Sequence, residues 1–317
     1  MSPLLSVIIP HYNHHEALPN ALKSILSQTL KDIEVVIVDD CSDAPCDGIV
    51  AEYREIGLNI TFVRNEKRKY LKESRLVGVE AAQGRLITFL DADDIFYKNA
   101  ALEYHVDRLL EAEADIVQFD FLYYVDGVKK QQSPWWAKPL AEDLRGADIF
   151  KTYLRGNCGG HTVCGKIVTK KLWLTCLSAA RAISVRWHQE DLLLSSLLFL
   201  HAQAYIGSSR IGYVYFHNNA AALHKAFGRC ADLYAMLTEF LPYMQQQGMD
   251  AALCADMRVQ LFKKVKENMI KYLEYLYPKL QENTLPPEAI FSEMLEHAEP
   301  DMALRVLMTG LMQVIRN

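Results

Sequence analysis

Apolar positions along the first hundred residues switch repeatedly between strand-like runs and helical spacing. Leu4–Ile9 is a short run rich in β-branched residues, stopped by Pro10. Ala17, Ala21, Leu22, Ile25 and Leu26 recur at helical intervals and predict a helix over Ala17–Gln28. Ile33–Val38 is almost continuously apolar, as in a strand covered on both faces. The same reading gives a helix over Ile49–Ile56, a strand over Asn59–Val63 and a helix over Leu71–Ala82, with Gly84 as its C-cap. A strand follows at Leu86–Leu90, then a helix at Ala100–Ala112 and a strand at Asp115–Phe121.

Strands alternating with helices predict an α/β fold, a Rossmann-like, mostly parallel, doubly wound sheet flanked by helices. Between Asp126 and His224 the pattern is less regular. Gly156–Gly160 reads as a loop, Val163–Thr169 as a strand, Glu190–Leu200 as a helix and Ile211–His217 as a strand. From about Lys225 the chain reads as helical to its end, interrupted at Pro286-Pro287. The expected division is an α/β domain over 1–224 and a helical subdomain over 225–317.

Polar clusters follow three of the strands directly: Pro10-His11-Tyr12-Asn13, Asp39-Asp40 and Asp91-Ala92-Asp93-Asp94. Ligands of open α/β sheets bind outside the carboxyl ends of strands, so the three clusters are expected to share one crevice. Asp91 and Asp93, two residues apart, can reach one hard cation, and that cation could neutralise a diphosphate leaving group. Asp94 has a second use as a helix N-cap. An Asp39-Asp40 carboxylate could accept from a uracil N–H or a ribose hydroxyl, or simply brace a turn with Ser42 and Asp43. Glu190-Asp191 opens an apolar helix, where carboxylates suit the dipole; one of them could also be a general base.

Composition narrows the classes. Half of the 317 residues are hydrophobic and the net charge is −5, which argues against a nucleic-acid binder. One basic run survives from Arg64 to Lys72, suited to a phosphate-bearing ligand or to a solvated loop. Seven cysteines without C-x-x-C spacing speak against a zinc site or a disulfide framework and for a reducing cytoplasm. The first residues lack the basic leader of a signal peptide, and no run of roughly 18 apolar residues is present, so the expected location is cytoplasmic.

Three segments taken together are specific. Ser6-Val7-Ile8-Ile9-Pro10-His11-Tyr12-Asn13, Glu34-Val35-Val36-Ile37-Val38-Asp39-Asp40-Cys41-Ser42 and Gly84-Arg85-Leu86-Ile87-Thr88-Phe89-Leu90-Asp91-Ala92-Asp93-Asp94 closely resemble the inverting family-2 glycosyltransferases of GT-A fold. The resemblance is clear over about 4–120 and weaker to about 220, through Gly165-Lys166, Glu190-Asp191-Leu192 and Tyr213-Val214-Tyr215-Phe216-His217; the helical tail lies outside it.

The resemblance implies a nucleotide-sugar half (1–100), an acceptor half (101–224), a UDP-sugar donor and a Mn²⁺ or Mg²⁺ cofactor. Pro10 and Tyr12 would pack near the base, and Asp39 would hold uracil or ribose with Asn65 and Arg64 nearby. Arg75, Asp91 and Ala92 complete the donor contacts, and Asp93, with Asp91, would ligate the metal. Asp191 would be the general base, assisted by Glu190; His217 is a candidate third metal ligand or a strand residue. Lys166 would approach acceptor or diphosphate, or lie on the surface. Two departures stand out: Glu66 and Lys67 follow Asn65, where a small residue such as Gly is usual, and Leu76 replaces the usual Asn after Arg75. His11, with His14 and His15, is atypical and reads as an exposed loop.

The implied acceptor is a saccharide, free or lipid-linked, of a surface glycan, reached at the inner face of a membrane. The tail's Lys263-Lys264-Val265-Lys266 run, with Phe262 and Met269, would suit a membrane interface, a second copy of the chain or a packed subdomain. Two other classes stay open. One is a non-catalytic GT-A-like binding module. The other is a nucleotidyltransferase, disfavoured because Pro10–Glu16 has no Gly, Lys or Arg for a phosphate loop.

Overall fold

Strands β1 (Leu5–His11) and β2 (Ile33–Asp39) are buried at every position, as parallel strands covered on both faces must be. They lie in a computed structural model that describes residues 2–130, 134–140, 143–186, 188–217 and 226–281. The chain divides into two compact units, Met1–Arg181 with Leu194–Asn218, and Ala182–Leu193 with Asn219–Asn317.

The first unit is built on one sheet. Its further strands are β3 (Ile60–Arg64), β4 (Leu86–Phe89), β5 (Ile95–Phe96), β6 (Ile116–Val125), β7 (Val128–Lys130), β8 (Asp143–Arg145), β9 (Lys166–Thr169) and β10 (Ala204–His217). The order is β3-β2-β1-β4-β9-β6-β10-β5, with β7 on β6 and β8 on β10. Strands β3, β2, β1 and β4 are mutually parallel. Strand β9 runs antiparallel to both β4 and β6, so β6, and β10 parallel to it, regain the direction of β4. Alternation alone predicted the parallel block. The reversed β9 escaped it, because Val163–Thr169 carries no sign of direction.

Helices α1 (Leu18–Leu26), α2 (Asp47–Ile56), α3 (Tyr70–Ala81), α4 (Ala101–Glu111), α5 (Ala147–Arg155) and α6 (Lys170–Ala182) accompany the strands. Helix α3 packs closely on β1: a Cβ on Gly78 would lie 2.3 Å from Ile8 Cγ2. Gly84 is not a C-cap. Helix α3 ends at Ala82 in an extended conformation, and Gly84 instead passes Ser6 so closely that a Cβ would meet its backbone nitrogen at 2.6 Å. Helices α5 and α6, and the short β5, β7 and β8, went unassigned in the sequence, although Ile149, Phe150, Tyr153 and Leu154 of α5 recur at helical spacing and are buried. Trp173 of α6 packs edge-on against Phe89 of β4, ring centroids 5.3 Å apart.

Helix α7 (Glu190–His201) starts where Glu190-Asp191 predicted. The second unit contains α8 (Ala226–Ala235), a π-helical turn (Met236–Phe240), α9 (Leu241–Gln246) and α10 (Ala251–Gln281). Leu233, Met236, Phe240, Met257 and Leu261 are buried there. The tail is helical through Gln281; the break at Pro286-Pro287 lies outside the described residues.

Candidate active site at the strand ends

The three polar clusters meet because β2, β1 and β4 are neighbours ending at the same edge. His11 pairs with Asp39 across β1 and β2, and the Leu90 N–H donates to the Ile8 carbonyl at 3.0 Å. After β4 the chain turns tightly, with the Asp94 N–H on the Asp91 carbonyl at 3.0 Å. Ala92 is buried, while Asp91 is part-exposed and Asp93 exposed. Asp93 lines a groove of about 600 Å³ with Asn20, Lys23, Lys98 and Phe216.

Asp94 is not a helix cap: α4 is preceded by Ala100, without a side-chain cap. Its buried carboxylate accepts the Tyr213 hydroxyl at 2.8 Å and the Phe216 N–H at 2.9 Å. The Tyr213 oxygen in turn accepts the Asp91 N–H at 3.1 Å. A chain of hydrogen bonds from β10 thus sets the turn that carries Asp91 and Asp93. The sequence held a trace of it in the alternation Tyr213-x-Tyr215-x-His217.

The electrostatics are divided. Arg75, from α3, is almost fully buried and reaches Asp91 at 3.1 Å while lying 5.7 Å from the Phe89 ring centre. The surrounding protein and then the Asp91 charge raise the pKa of Asp93. Burial, then Asp91 and Asp93, raise that of Asp94 well above the carboxylate range. Two carboxylates that repel each other at a solvent-facing turn suit a divalent cation, which would relieve the repulsion. Among the described residues no three His, Cys, Asp or Glu side chains form a ready cage, so a cation there needs oxygens from its ligand.

At the β2 end, Asp39 is fully buried. It accepts from the Ser42 N–H at 3.1 Å, from the Ser42 hydroxyl and from Arg64. Asp40 serves the backbone: it accepts Asn65 Nδ2 and the Lys69 N–H, both at 2.8 Å, and the Tyr70 N–H at 2.7 Å. This carboxylate caps α3 from outside and holds Tyr70 at a φ of 67°, unusual for a bulky residue. Asn65 also reaches Ser74 Oγ at 3.3 Å. Pro10 is buried and Tyr12 half-buried. His11 corrects the exposed-loop reading. It is 1% exposed, and burial lowers its pKa to about 4, against the opposing pull of Asp39. His14 is exposed.

Glu190 and Asp191 belong to the second unit. The segment before them is held by buried Asp232 of α8, which accepts the N–H groups of Arg186 at 2.8 Å, His188 at 2.7 Å and Gln189 at 3.0 Å. Nothing in the sequence marked Asp232. His217 ends β10 with its ring 6.0 Å from Tyr215 and its Nδ1 3.4 Å from that hydroxyl. Lys166 is no surface lysine: it is 1% exposed, and its ammonium donates to the carbonyls of Gly160, at 2.8 Å, and Thr162.

An open α/β sheet with its carboxylate pair after the fourth strand defines the GT-A class of fold. Known structures agree: Staphylococcus aureus TarS superposes with a TM-score of 0.62 at 18% identity, over 94% of this chain and 82% of that one. The mannosyltransferase PcManGT from Pyrobaculum calidifontis, solved with GDP-Man and Mn²⁺, gives 0.55 at 13% identity, over 98% and 88%. The family profile for glycosyl transferase family 2 matches residues 6–172, more than half of the chain, and the chain belongs to that family. Among curated relatives, an uncharacterized glycosyltransferase of Haemophilus influenzae is 33% identical over 38% of both chains. TuaG of Bacillus subtilis, named for teichuronic acid biosynthesis, is 36% identical over 34% of this chain and 43% of its own. The chain thus spans about two fifths of these relatives' lengths.

Proposed function

We propose that the protein is an inverting, metal-dependent glycosyltransferase that moves a sugar from a nucleotide-diphosphate sugar, preferably a UDP-sugar, to a saccharide acceptor. The observation that carries this reading is the Asp91–Asp93 turn, anchored to Arg75 and Tyr213 and flanked by the β1 and β2 ends. Asp93 and Asp91 would hold Mn²⁺ or Mg²⁺, whose charge would stabilise the departing nucleoside diphosphate. Arg75 orients Asp91 through their 3.1 Å contact. Asp39 and Asn65 are the base and ribose contacts, with Arg64 beside Asp39, and Pro10 and Tyr12 border the base.

Asp191 is the general base that takes the proton from the acceptor hydroxyl, and Glu190 orients it. A single displacement inverts the anomeric centre. Residues 1–100 form the donor half, 101–224 the acceptor half, and 225–317 a helical subdomain. Support for the donor class comes from TarS, solved with UDP-GlcNAc, and from PcManGT with GDP-Man and Mn²⁺. The name of TuaG supports a surface glycan as the product. Among the described residues no helix is long and apolar enough to cross a membrane. The reading is of a cytoplasmic enzyme, for which the inner face of a membrane is the place where a lipid-linked acceptor would be met.

The test is transfer of radiolabelled sugar to an acceptor panel by the wild type and by Asp93→Ala and Asp191→Asn. Each substitution is expected to lower kcat by roughly 100-fold or more, the scale of a lost general base or metal ligand. Wild-type rates in both variants would overturn the mechanism.

A further inference from the structure

The loop between β3 and α3 departs from the family pattern, and it sets a cation over Tyr12 just past the end of β1. In the sheet order, β1 lies between β2 and β4. A nucleoside diphosphate held by Asp39 at the β2 end and by Asp91–Asp93 at the β4 end has to cross the end of β1. Tyr12 stands there, directly after β1, and the Arg68 guanidinium lies over its ring at 4.0 Å from the centroid. Tyr70 flanks the same guanidinium at 4.9 Å. Tyr70 is held there by the Asp40 carboxylate, which fixes its strained backbone. Asp40 therefore shapes the loop that presents Arg68.

The other arginines nearby are committed: Arg64 to Asp39 and Arg75 to Asp91. Arg68 is exposed and, among the described residues, has no carboxylate partner. Stacking on tyrosine leaves its five N–H donors at the rim of the plane, in the fork geometry that suits phosphate oxygens. One divalent cation offsets the two negative charges of the donor's diphosphate, and the nucleoside diphosphate gains a further charge when the sugar leaves, which a second cation would stabilise.

We propose that Arg68, stacked on Tyr12, binds the diphosphate of the nucleotide-sugar donor. This rests on the donor reading above and adds a donor-binding residue peculiar to the Glu66-Lys67-Arg68-Lys69 loop. The contact is to phosphate oxygens, not to the base, and that distinction supplies the test.

Calorimetric titrations of the full chain with Mn²⁺ present would compare UDP with uridine, and in parallel GDP with guanosine, for wild type, Arg68→Ala and Arg68→Lys. Expected is a roughly tenfold or greater loss of diphosphate affinity in Arg68→Ala, the value of a charge-assisted contact, with nucleoside affinity kept within about twofold. Arg68→Lys, which keeps the charge but loses the fork, should fall between. Unchanged diphosphate affinity in Arg68→Ala, or equal losses for diphosphate and nucleoside, would overturn the assignment while leaving the donor reading intact. A wild-type chain that binds neither nucleotide would overturn both.

Discussion

Five carboxylates crowd the ends of β2 and β4, and their partners separate their duties. Asp40 and Asp94 are buried and bound to backbone N–H groups, so they shape loops. Asp39 and Asp91 are paired with arginines. Asp93 alone of the five is exposed. Asp93→Ala should therefore leave the melting temperature near that of the wild type. Asp94→Ala should lower stability by about 2–6 kcal/mol, because the Tyr213 hydroxyl and the Phe216 N–H lose their acceptor in a buried place, at about 1–3 kcal/mol each. Urea unfolding of the two variants checks this, and equal midpoints would contradict the division. Sequence showed all five aspartates but not their duties, because duty is set by which N–H groups the folded loops bring to each.

Two buried histidines make a prediction in pH. His105 stacks on Phe119 at 4.4 Å, and burial lowers its pKa to about 3; His11 is lowered to about 4. The unfolded chain takes up these protons near the ordinary value of 6.5, which the folded chain does not. Stability is therefore fully present above about pH 6.5 and falls as the pH drops toward 4. His105→Phe removes one of the two groups and should flatten the fall between pH 7 and pH 4.5 in urea titrations. An unchanged slope would refute the burial argument.

Among the elements, the legible ones were those whose neighbours matched their pattern. β1, β2 and β4 are mostly apolar runs, and their burial on both faces made them readable and fixed the parallel block. The boundaries of α1 and α3 fell within a few residues of their periodicity. Strand β10 was read only from Ile211, because Ser208, Ser209 and Arg210 break its alternation at an irregularity in the pairing with β6. Gly84 looked like a helix stop and is a point of close approach, a distinction that depends on Ser6, 78 residues away.

The approach to α7 yields another prediction at this scale. Three backbone N–H groups of 186–189 share the Asp232 carboxylate, so Asp232→Ala should free the segment that carries Glu190 and Asp191. Amide exchange in 186–191 should accelerate and kcat should fall, while the donor KM stays near the wild-type value. A change in donor KM alone would contradict a positioning role.

Across the whole molecule, the family match stops at residue 172, while the relatives in structure cover nearly all of the chain at low identity. Sequence therefore resolved the first strands and the polar clusters at their ends and left the later elements faint, since packing there is met by many residue combinations. Overall charge was informative only by exclusion. The central claim is that Asp91 and Asp93 hold a metal and, through it, a nucleoside diphosphate. The most direct measurement is the thermal stability of the full chain with UDP, GDP, CDP or ADP, each with Mn²⁺ and with EDTA, for wild type and Asp93→Ala. Ligands that bind the folded state raise its stability by mass action. The account predicts an upward shift with UDP that needs Mn²⁺ and disappears in Asp93→Ala. A shift that persists in EDTA or in the variant, or none with any nucleotide, would contradict it.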